Sequence, residues 1–326
     1  MSDGSGGVPT WVVGGSGLLG SHVVGSLRRR AVPVLVSRVP WQDPPAARTA
    51  LKEGVRRLAE AAGGGPWQVA WCAGAGVVAT GAEAMAVERA AFVHALDELA
   101  ARLARTGAGA LFLASSAGGV YAGSPARPPF TEHSPVGALV AYGHTKLDME
   151  RDVTEFAERT GTPVLVGRIA NLYGPGQDLT KPQGLVSQLS RAHATRQPLT
   201  VYVSLDTLRD YVYAADVGDL VAAGLTSLRA RTAGLTVPVV VKVVATGTSL
   251  TIGALIGEST RLHRSRARVV AKAPLPGSGQ IRDLRLRSVV WPELDSHLVT
   301  PMLVGMARTS ADVGRRLRAG PQRMHG

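Results

Sequence analysis

The sequence predicts an α/β protein in which a parallel sheet is covered by helices on both faces, and three observations carry that expectation. Short apolar runs alternate with stretches of helical spacing through the first half of the chain, the first run feeds straight into a glycine turn and a helix, and the alternation loosens beyond about residue 174. The strand-sized runs are apolar along their length, as strands buried on both faces require. The expected architecture is a Rossmann-type doubly wound parallel sheet with a smaller C-terminal substrate-binding lobe.

Taken in order, Trp11-Val12-Val13-Gly14 is a buried strand, and residues 18–30 adopt helical periodicity after the turn. Residues 32–37 form a second apolar run, 46–62 a helix closed by Gly63-Gly64-Gly65, and 67–73 the next strand. A long amphipathic helix over 83–105, a strand over 110–116, a helix over 139–158 and a strand over 163–169 complete the alternation, which stops at Gly174-Pro175-Gly176. Beyond it, 184–195 reads as a helix, 199–203 as a strand and 216–228 as a helix. Residues 233–292 are rich in glycine and proline with isolated short strands, the pattern of a covering lobe. The expected division is a Rossmann domain over 1–173, with segments of about 199–230 returning to it, and a lobe built mainly from 174–326.

Composition narrows the function classes. Hydrophobic residues make up 45% and charged residues 18%, so a 326-residue chain can bury a sizeable core. No apolar run reaches the roughly 18 residues that span a bilayer, and residues 1–10 lack the charged-then-apolar order of a signal peptide; a cytoplasmic location and no membrane partner are expected. The single cysteine, Cys72, excludes an internal disulfide and any cysteine-cluster metal site. It lies in an apolar run, as a core residue would, and no metal is expected. The net charge of +12 comes from arginines spread along the chain (28–30, 56–57, 261–268, 315–318) without aromatic interleaving, which argues against nucleic acid. A diffuse positive field suits the gathering of anionic small molecules.

Gly14-Gly15-Ser16-Gly17-Leu18-Leu19-Gly20 sets glycines at G-x-x-G-x-x-G spacing between a strand and a helix. Glycine permits the tight turn, close approach of backbone to a pyrophosphate and close helix-strand packing, while the helix N-terminus offers N–H groups to phosphate. Gly14, Ser16, Gly17, Leu18 and Gly20 are the expected contacts of a dinucleotide. At the end of the second strand, Ser37 and Arg38 offer a hydroxyl and a guanidinium suited to a 2′-phosphate, where a carboxylate would instead bind a free ribose hydroxyl. That favours NADP, with NAD as the alternative. Further along, Tyr142 and Lys146 stand four residues apart on one helix face. The cation stabilises phenolate, making the phenol acidic enough to exchange a proton with a substrate alcohol or ketone while hydride moves.

With those motifs in place the chain resembles the extended short-chain dehydrogenase/reductase family, the NAD(P)-dependent nucleotide-sugar epimerases, dehydratases and reductases. The resemblance runs nearly full length. It covers Gly14 to Gly20, Cys72-Ala73-Gly74-Ala75, Ser115-Ser116-Ala117-Gly118-Gly119-Val120-Tyr121, Tyr142 to Lys146, Arg168-Ile169-Ala170-Asn171-Leu172-Tyr173-Gly174-Pro175-Gly176, and Arg209-Asp210-Tyr211-Val212-Tyr213 to Asp216-Val217. It implies that Cys72, Ala73 and Gly74 border the cofactor, that Asp43 stands nearest to an adenine-contacting aspartate, and that Asn171 and Arg209 contact the substrate diphosphate. Tyr142, Lys146 and a serine would carry the chemistry. The family often has serine or threonine where this chain has Ala117, so Ser116 is the candidate hydroxyl donor and Ser115 the reserve. The helix-strand-helix stretch after the second strand is shortened, and the usual W-G-D-G-like stretch is replaced by Tyr202-Val203-Ser204-Leu205-Asp206.

Dehydratases of the family carry an Asp-Glu pair where this chain has Gly118 and Gly119, which argues against water elimination. Two hydride reactions remain. The expectation is an NADP-dependent ketoreductase acting on a nucleotide-linked deoxysugar; an NAD-dependent 4-epimerase is the alternative, and a non-catalytic dinucleotide sensor the alternative of another class. His144 should leave the helix away from Tyr142, as a solvent or interface residue. Apolar stripes on the helices over 83–105 and 139–158 lead to an expected homodimer.

Overall fold

Side chains along each central strand alternate between two apolar layers, and this alternation sets the architecture. Trp11, Val13, Val69, Trp71, Leu111, Leu113, Val164 and Val166 enter one layer, whereas Val12, Ala70, Phe112 and Leu165 enter the other. Both faces of each strand are therefore buried, and the runs read as continuously apolar.

The computed structural model describes residues 7–74, 81–103, 109–181, 183–272 and 281–319. From the N-terminus, β1 (Thr10–Val13) leads through the glycine turn into α1 (Leu18–Arg29), and β2 (Val34–Val36) into α2 (Pro44–Ala62). Then come β3 (Trp67–Trp71), α3 (Ala82–Leu103), β4 (Gly109–Ser116), the short α4 (Ala117–Tyr121), α5 (Ala141–Thr160) and β5 (Val164–Ile169). The remainder comprises β6 (Asn171–Tyr173), α6 (Leu185–Thr195), β7 (Leu199–Val201), β8 (Leu208–Tyr213), α7 (Ala214–Thr232) and β9 (Val239–Val244). It continues with β10 (Ser249–Thr251), α8 (Ile252–His263), β11 (Val269–Ala271), β12 (Asp283–Leu284), a 3-10 helix (Pro292–His297) and α9 (Met302–Arg318).

The central sheet is parallel, in the order β2-β1-β3-β4-β5-β9. Its order reverses between β1 and β3, which opens a crevice at their carboxyl ends, the place where open α/β sheets bind ligands. The fold is thus the Rossmann-type sheet that the alternation predicts. α2, α3 and α5 supply one layer, and α1 and α7 the other. The lobe is built around Tyr173, Leu189, Tyr211, Tyr213, Leu255 and Met306, where α6, α8 and α9 meet the small sheet of β6, β8, β10 and β12.

Two strands lie elsewhere than the sequence pattern suggests. Residues 239–244, expected in the lobe, form β9 at the edge of the central sheet, and β7, expected to return to that sheet, pairs with β11 instead. A valine run carries no label for its sheet. The choice is made by α7, which returns across the face against α1: Asp219 accepts from Ser26 and Arg29, and a Cβ on Gly218 would lie 2.7 Å from the backbone of His22. Most apolar residues of α3 and α5 pack inward, leaving His144, Arg151, Glu155 and Glu158 on the exposed face of α5 and Val87 exposed on α3. Among the described residues no helix is long and apolar enough to cross a membrane, and no group of three or more His, Cys, Asp or Glu could hold a metal ion.

The edge at β9 is closed by polar groups. Lys242, fully buried, donates to Ser288 Oγ at 2.8 Å and Val290 O at 2.9 Å, and forms an ion pair with Asp295 at 2.7 Å. Glu132 accepts from Val243 N, Ser288 Oγ and Val289 N. These contacts stitch residues 288–295 over a strand edge that would otherwise be available for intermolecular pairing. Lys242→Met keeps the stem but leaves a carbonyl and a carboxylate without their cation. Urea unfolding should show a loss of about 2–3 kcal/mol, and a loss within error of zero would deny the clamp its role.

Candidate functional site

The glycine turn is tight because atoms beyond hydrogen have no place in it. Gly14 has φ +80°, and a Cβ there would lie 2.7 Å from Ala73 Cα and N; a Cβ on Gly20 would lie 2.1 Å from the Gly14 carbonyl oxygen. The turn closes with Gly17 N donating to Gly14 O at 2.9 Å. α1 then starts at Leu18 without a side-chain cap from Gly17, and Ser16 and Gly17 are exposed. The first-turn N–H groups are positioned to donate to a phosphate's oxygens, so the cradle fits the dinucleotide that the motif predicts.

The other residues expected around the cofactor divide into three kinds. Ser37 accepts from the buried Trp11 indole at 3.0 Å, and Arg38 is exposed just past β2. Asp43 caps α2 by accepting from Ala46 N at 3.1 Å, so at least one of its oxygens has a structural duty. Cys72, Ala73 and Gly74 continue from β3 beside the turn; burial pushes the Cys72 thiol far up, which suits a core residue. Ala75 lies outside the described residues.

Tyr142 and Lys146 occupy the first turns of α5, with Lys146 Nζ 5.7 Å from the centroid of the Tyr142 ring. Lys146 is only 4% exposed, and its Nζ lies 3.3 Å from where a Cβ on Gly74 would be. The pair therefore faces the β3 end that also backs Gly14. Lys146 Nζ donates to Glu88 Oε1 of α3 at 3.0 Å, with both side chains buried. Burial opposes the ammonium, but the nearby Glu88 carboxylate and Tyr142 phenol outweigh it and hold the lysine above its ordinary range. Sequence reasoning missed Glu88. The available signal was a carboxylate in the same helical stripe as Met85, Phe92, Ala95 and Leu99, where a charge needs a partner.

Ser116 caps α4 by accepting from Gly119 N at 3.2 Å, which leaves its hydroxyl proton to be donated. A Cβ on Gly143 would lie 2.2 Å from Gly119 O, and one on Gly119 would lie 3.1 Å from Tyr142 Cε1. These glycines let α4 and α5 touch, bringing the Ser116 turn beside the phenol. Ser115 is engaged elsewhere: it donates to Glu150 Oε1 at 2.6 Å, and Glu150 pairs with Arg168 at 2.7 Å. Arg168 also donates to Tyr121 Oη at 2.8 Å, and Tyr121 to Thr131 O at 2.8 Å. The reserve role expected for Ser115 gives way to this buried network.

Asn171 follows β5, whose Ile169 is in register with Ser116. Its Nδ2 is buried without a hydrogen-bond partner. Because Asn171 is in register with Tyr211, Arg209 lies two residues away on the same sheet face. Burial lowers the pKa of the Arg209 guanidinium, which donates to Leu208 O at 2.8 Å. A buried donor without an acceptor beside a desolvated cation is an arrangement an anionic ligand would satisfy.

Residues 10–238, well over half of the chain, match the family described as the NAD dependent epimerase/dehydratase family. The chain belongs to that family. Among curated relatives, it is 35% identical over 102 residues to a dTDP-L-rhamnose 4-epimerase of Burkholderia thailandensis, covering 31% of this chain and 27% of that protein. It is 30% identical over 118 residues to a dTDP-4-dehydro-6-deoxyglucose reductase of Escherichia coli, covering 36% of each. The matched stretches thus span about a third of these relatives. Solved structures with the same fold include the UDP-glucose 4-epimerase of Thermus thermophilus in complex with NAD, at TM-score 0.76 and 21% identity over 94% of this chain and 99% of that one. Another is TunA, described as an NAD dependent NDP-hexosamine 5,6-dehydratase involved in tunicamycin biosynthesis, at 0.73 and 23% over 94% and 98%.

In this epimerase/dehydratase-family chain, β8 is anchored by Asp210, next to Arg209. Asp210 is fully buried; its Oδ1 accepts from Thr246 N and Oγ1 at 3.0 Å each, while Oδ2 has no partner. Burial raises its pKa to about 6 against the lowering effect of those donors. In the unfolded chain an aspartate titrates near 4. The carboxyl therefore contributes its full stability below that value and loses it as pH rises to about 6, on the order of 3 kcal/mol across the window. Asp210→Asn should remove this component, so that parent and variant diverge between about pH 4 and 6 in urea midpoints; parallel curves would contradict the assignment.

Proposed function

We propose that the chain is an NADP-dependent ketoreductase of nucleotide-linked deoxysugars, with Tyr142 as proton donor. The observation that carries the reading is the Tyr142–Lys146 pair set against Gly74, beside the cleft of the glycine turn. A reduced nicotinamide dinucleotide, held by the Gly14–Gly20 turn, would supply hydride to the carbonyl carbon. Tyr142 gives its phenolic proton to the carbonyl oxygen, completing the alcohol, and Lys146 stabilises the phenolate left behind. The Ser116 hydroxyl donates to the same oxygen. Asn171 and Arg209 hold the diphosphate, answering the unpaired Nδ2 and the desolvated guanidinium.

Dehydration lacks its carboxylates, and a glutamate in place of Gly119 would crowd Tyr142, since even a Cβ would lie 3.1 Å from its ring. The E. coli reductase supports a single hydride delivery. The Burkholderia 4-epimerase equally supports a second reading, in which an NAD-dependent enzyme withdraws hydride and returns it to the other face. Arg38, exposed at the end of β2, favours the phosphorylated cofactor and hence the first.

The deciding assay follows reduced-nicotinamide absorbance with NADPH or NADH and a panel of nucleotide-linked ketosugars. Stoichiometric loss of NADPH is expected. Sugar conversion without net cofactor consumption would establish the epimerase, and cofactor binding without turnover the sensor. Tyr142→Phe should lower kcat by about 100-fold to 10,000-fold while NADPH binding, read by fluorescence, persists. Arg38→Ala should reduce the preference for NADPH over NADH by about tenfold; an unchanged ratio of dissociation constants would remove Arg38 from cofactor selection.

A further inference from the structure

We infer that Glu88 is a positioning residue for the catalytic pair: its carboxylate fixes the Lys146 ammonium beside Tyr142 and offsets the charge which that ammonium presents to the phenol. The inference rests on Tyr142 acting as proton donor in the proposed reaction. Glu88 Oε1 lies 3.0 Å from Lys146 Nζ, and the two side chains are 7% and 5% exposed, so solvent screens their attraction weakly. The pair lies against Gly74, where a Cβ would stand 3.3 Å from Nζ and 3.4 Å from Oε1.

Other charges nearby are directed elsewhere. On α3, the neighbouring Arg89 reaches across to Asp148 and Asp152 of α5. Glu150, one turn beyond Lys146, is held by Arg168 and Ser115. Around Lys146 Nζ stand the Tyr142 ring, Met149 Sδ at 3.9 Å and the Gly74 backbone, so Glu88 is the carboxylate in contact with the ammonium among the described residues.

An isolated ammonium beside a phenol favours phenolate strongly. Pairing that ammonium with a carboxylate converts the field at the phenol from that of a charge to that of a dipole, which is weaker. The weaker field removes part of the drive toward phenolate, and a donor to a carbonyl must carry its proton. The same contact restrains a flexible four-carbon stem, so the lysine is in place before a ligand arrives.

The test is a titration that needs no substrate: ultraviolet difference absorbance of tyrosinate, with Y142F as the reference that isolates Tyr142 from the other tyrosines. Relative to the parent, E88Q should titrate about one pH unit lower, and the alkaline limb of the reductase pH–rate profile should move with it. E88D, which keeps the charge, should restore most of the shift. An E88Q midpoint equal to the parent's, or an E88D shift as large as that of E88Q, would overturn the inference. If E88Q fails to fold by circular dichroism, E88S, which admits water beside the lysine, is titrated under the same criterion. A parent without turnover would sink the reductase reading while leaving the titration readable.

Discussion

The cleft exists because backbone meets backbone at the carboxyl ends of the strands, and each meeting excludes even one side-chain carbon. Gly14 sits against Ala73 and Gly20 against the Gly14 carbonyl, so β1, α1 and the end of β3 converge within a distance that alanine would forbid. Gly119 and Gly143 do the same for α4 and α5. The first contact leaves the N-terminus of α1 open to phosphate; the second carries Ser116 to the phenol. The glycine turn and the proposed proton donor, Tyr142, are thus joined by packing, and a change at one is felt at the other.

On that scaffold, α5 works as a register of charges. Tyr142, Lys146 and Glu150 recur at four-residue intervals on one face. Lys146 is matched by Glu88 from one neighbouring helix, and Glu150 by Arg168 and Ser115 from two neighbouring strands. Unpaired, either buried charge would cost several kcal/mol. Paired, they fix the roll of the helix and hence the direction of the phenol. The proposed proton donor is held in place by this pairing of its helix with its neighbours.

The second lobe supplies complementary chemistry. β6 and β8 bring Asn171 and Arg209 to one face, and both are left with incomplete satisfaction: an amide without an acceptor and a guanidinium largely out of water. Buried groups in that condition cost stability. The proposed diphosphate would complete both, and Asp210 and the clamp at Lys242 hold the surrounding strands.

Sequence by itself determined the alternation of strands and helices, the glycine turn and the Tyr142–Lys146 spacing, because these depend on local periodicity and on neighbours a few residues apart. Motifs confined to short stretches also point to Asn171 and Arg209, the residues proposed to hold the diphosphate. Tertiary structure decided the rest. Ser115 and Ser116 are adjacent and chemically alike, and only the positions of Glu150 and Gly119 send one into a buried network and leave the other a proton to donate. Glu88 is 58 residues from Lys146, and β9 is 75 residues beyond the start of the β5 strand it joins, counting from Val164 to Val239. Pairings across such separations are selected by the shape and charge of surfaces that exist only once the chain has folded.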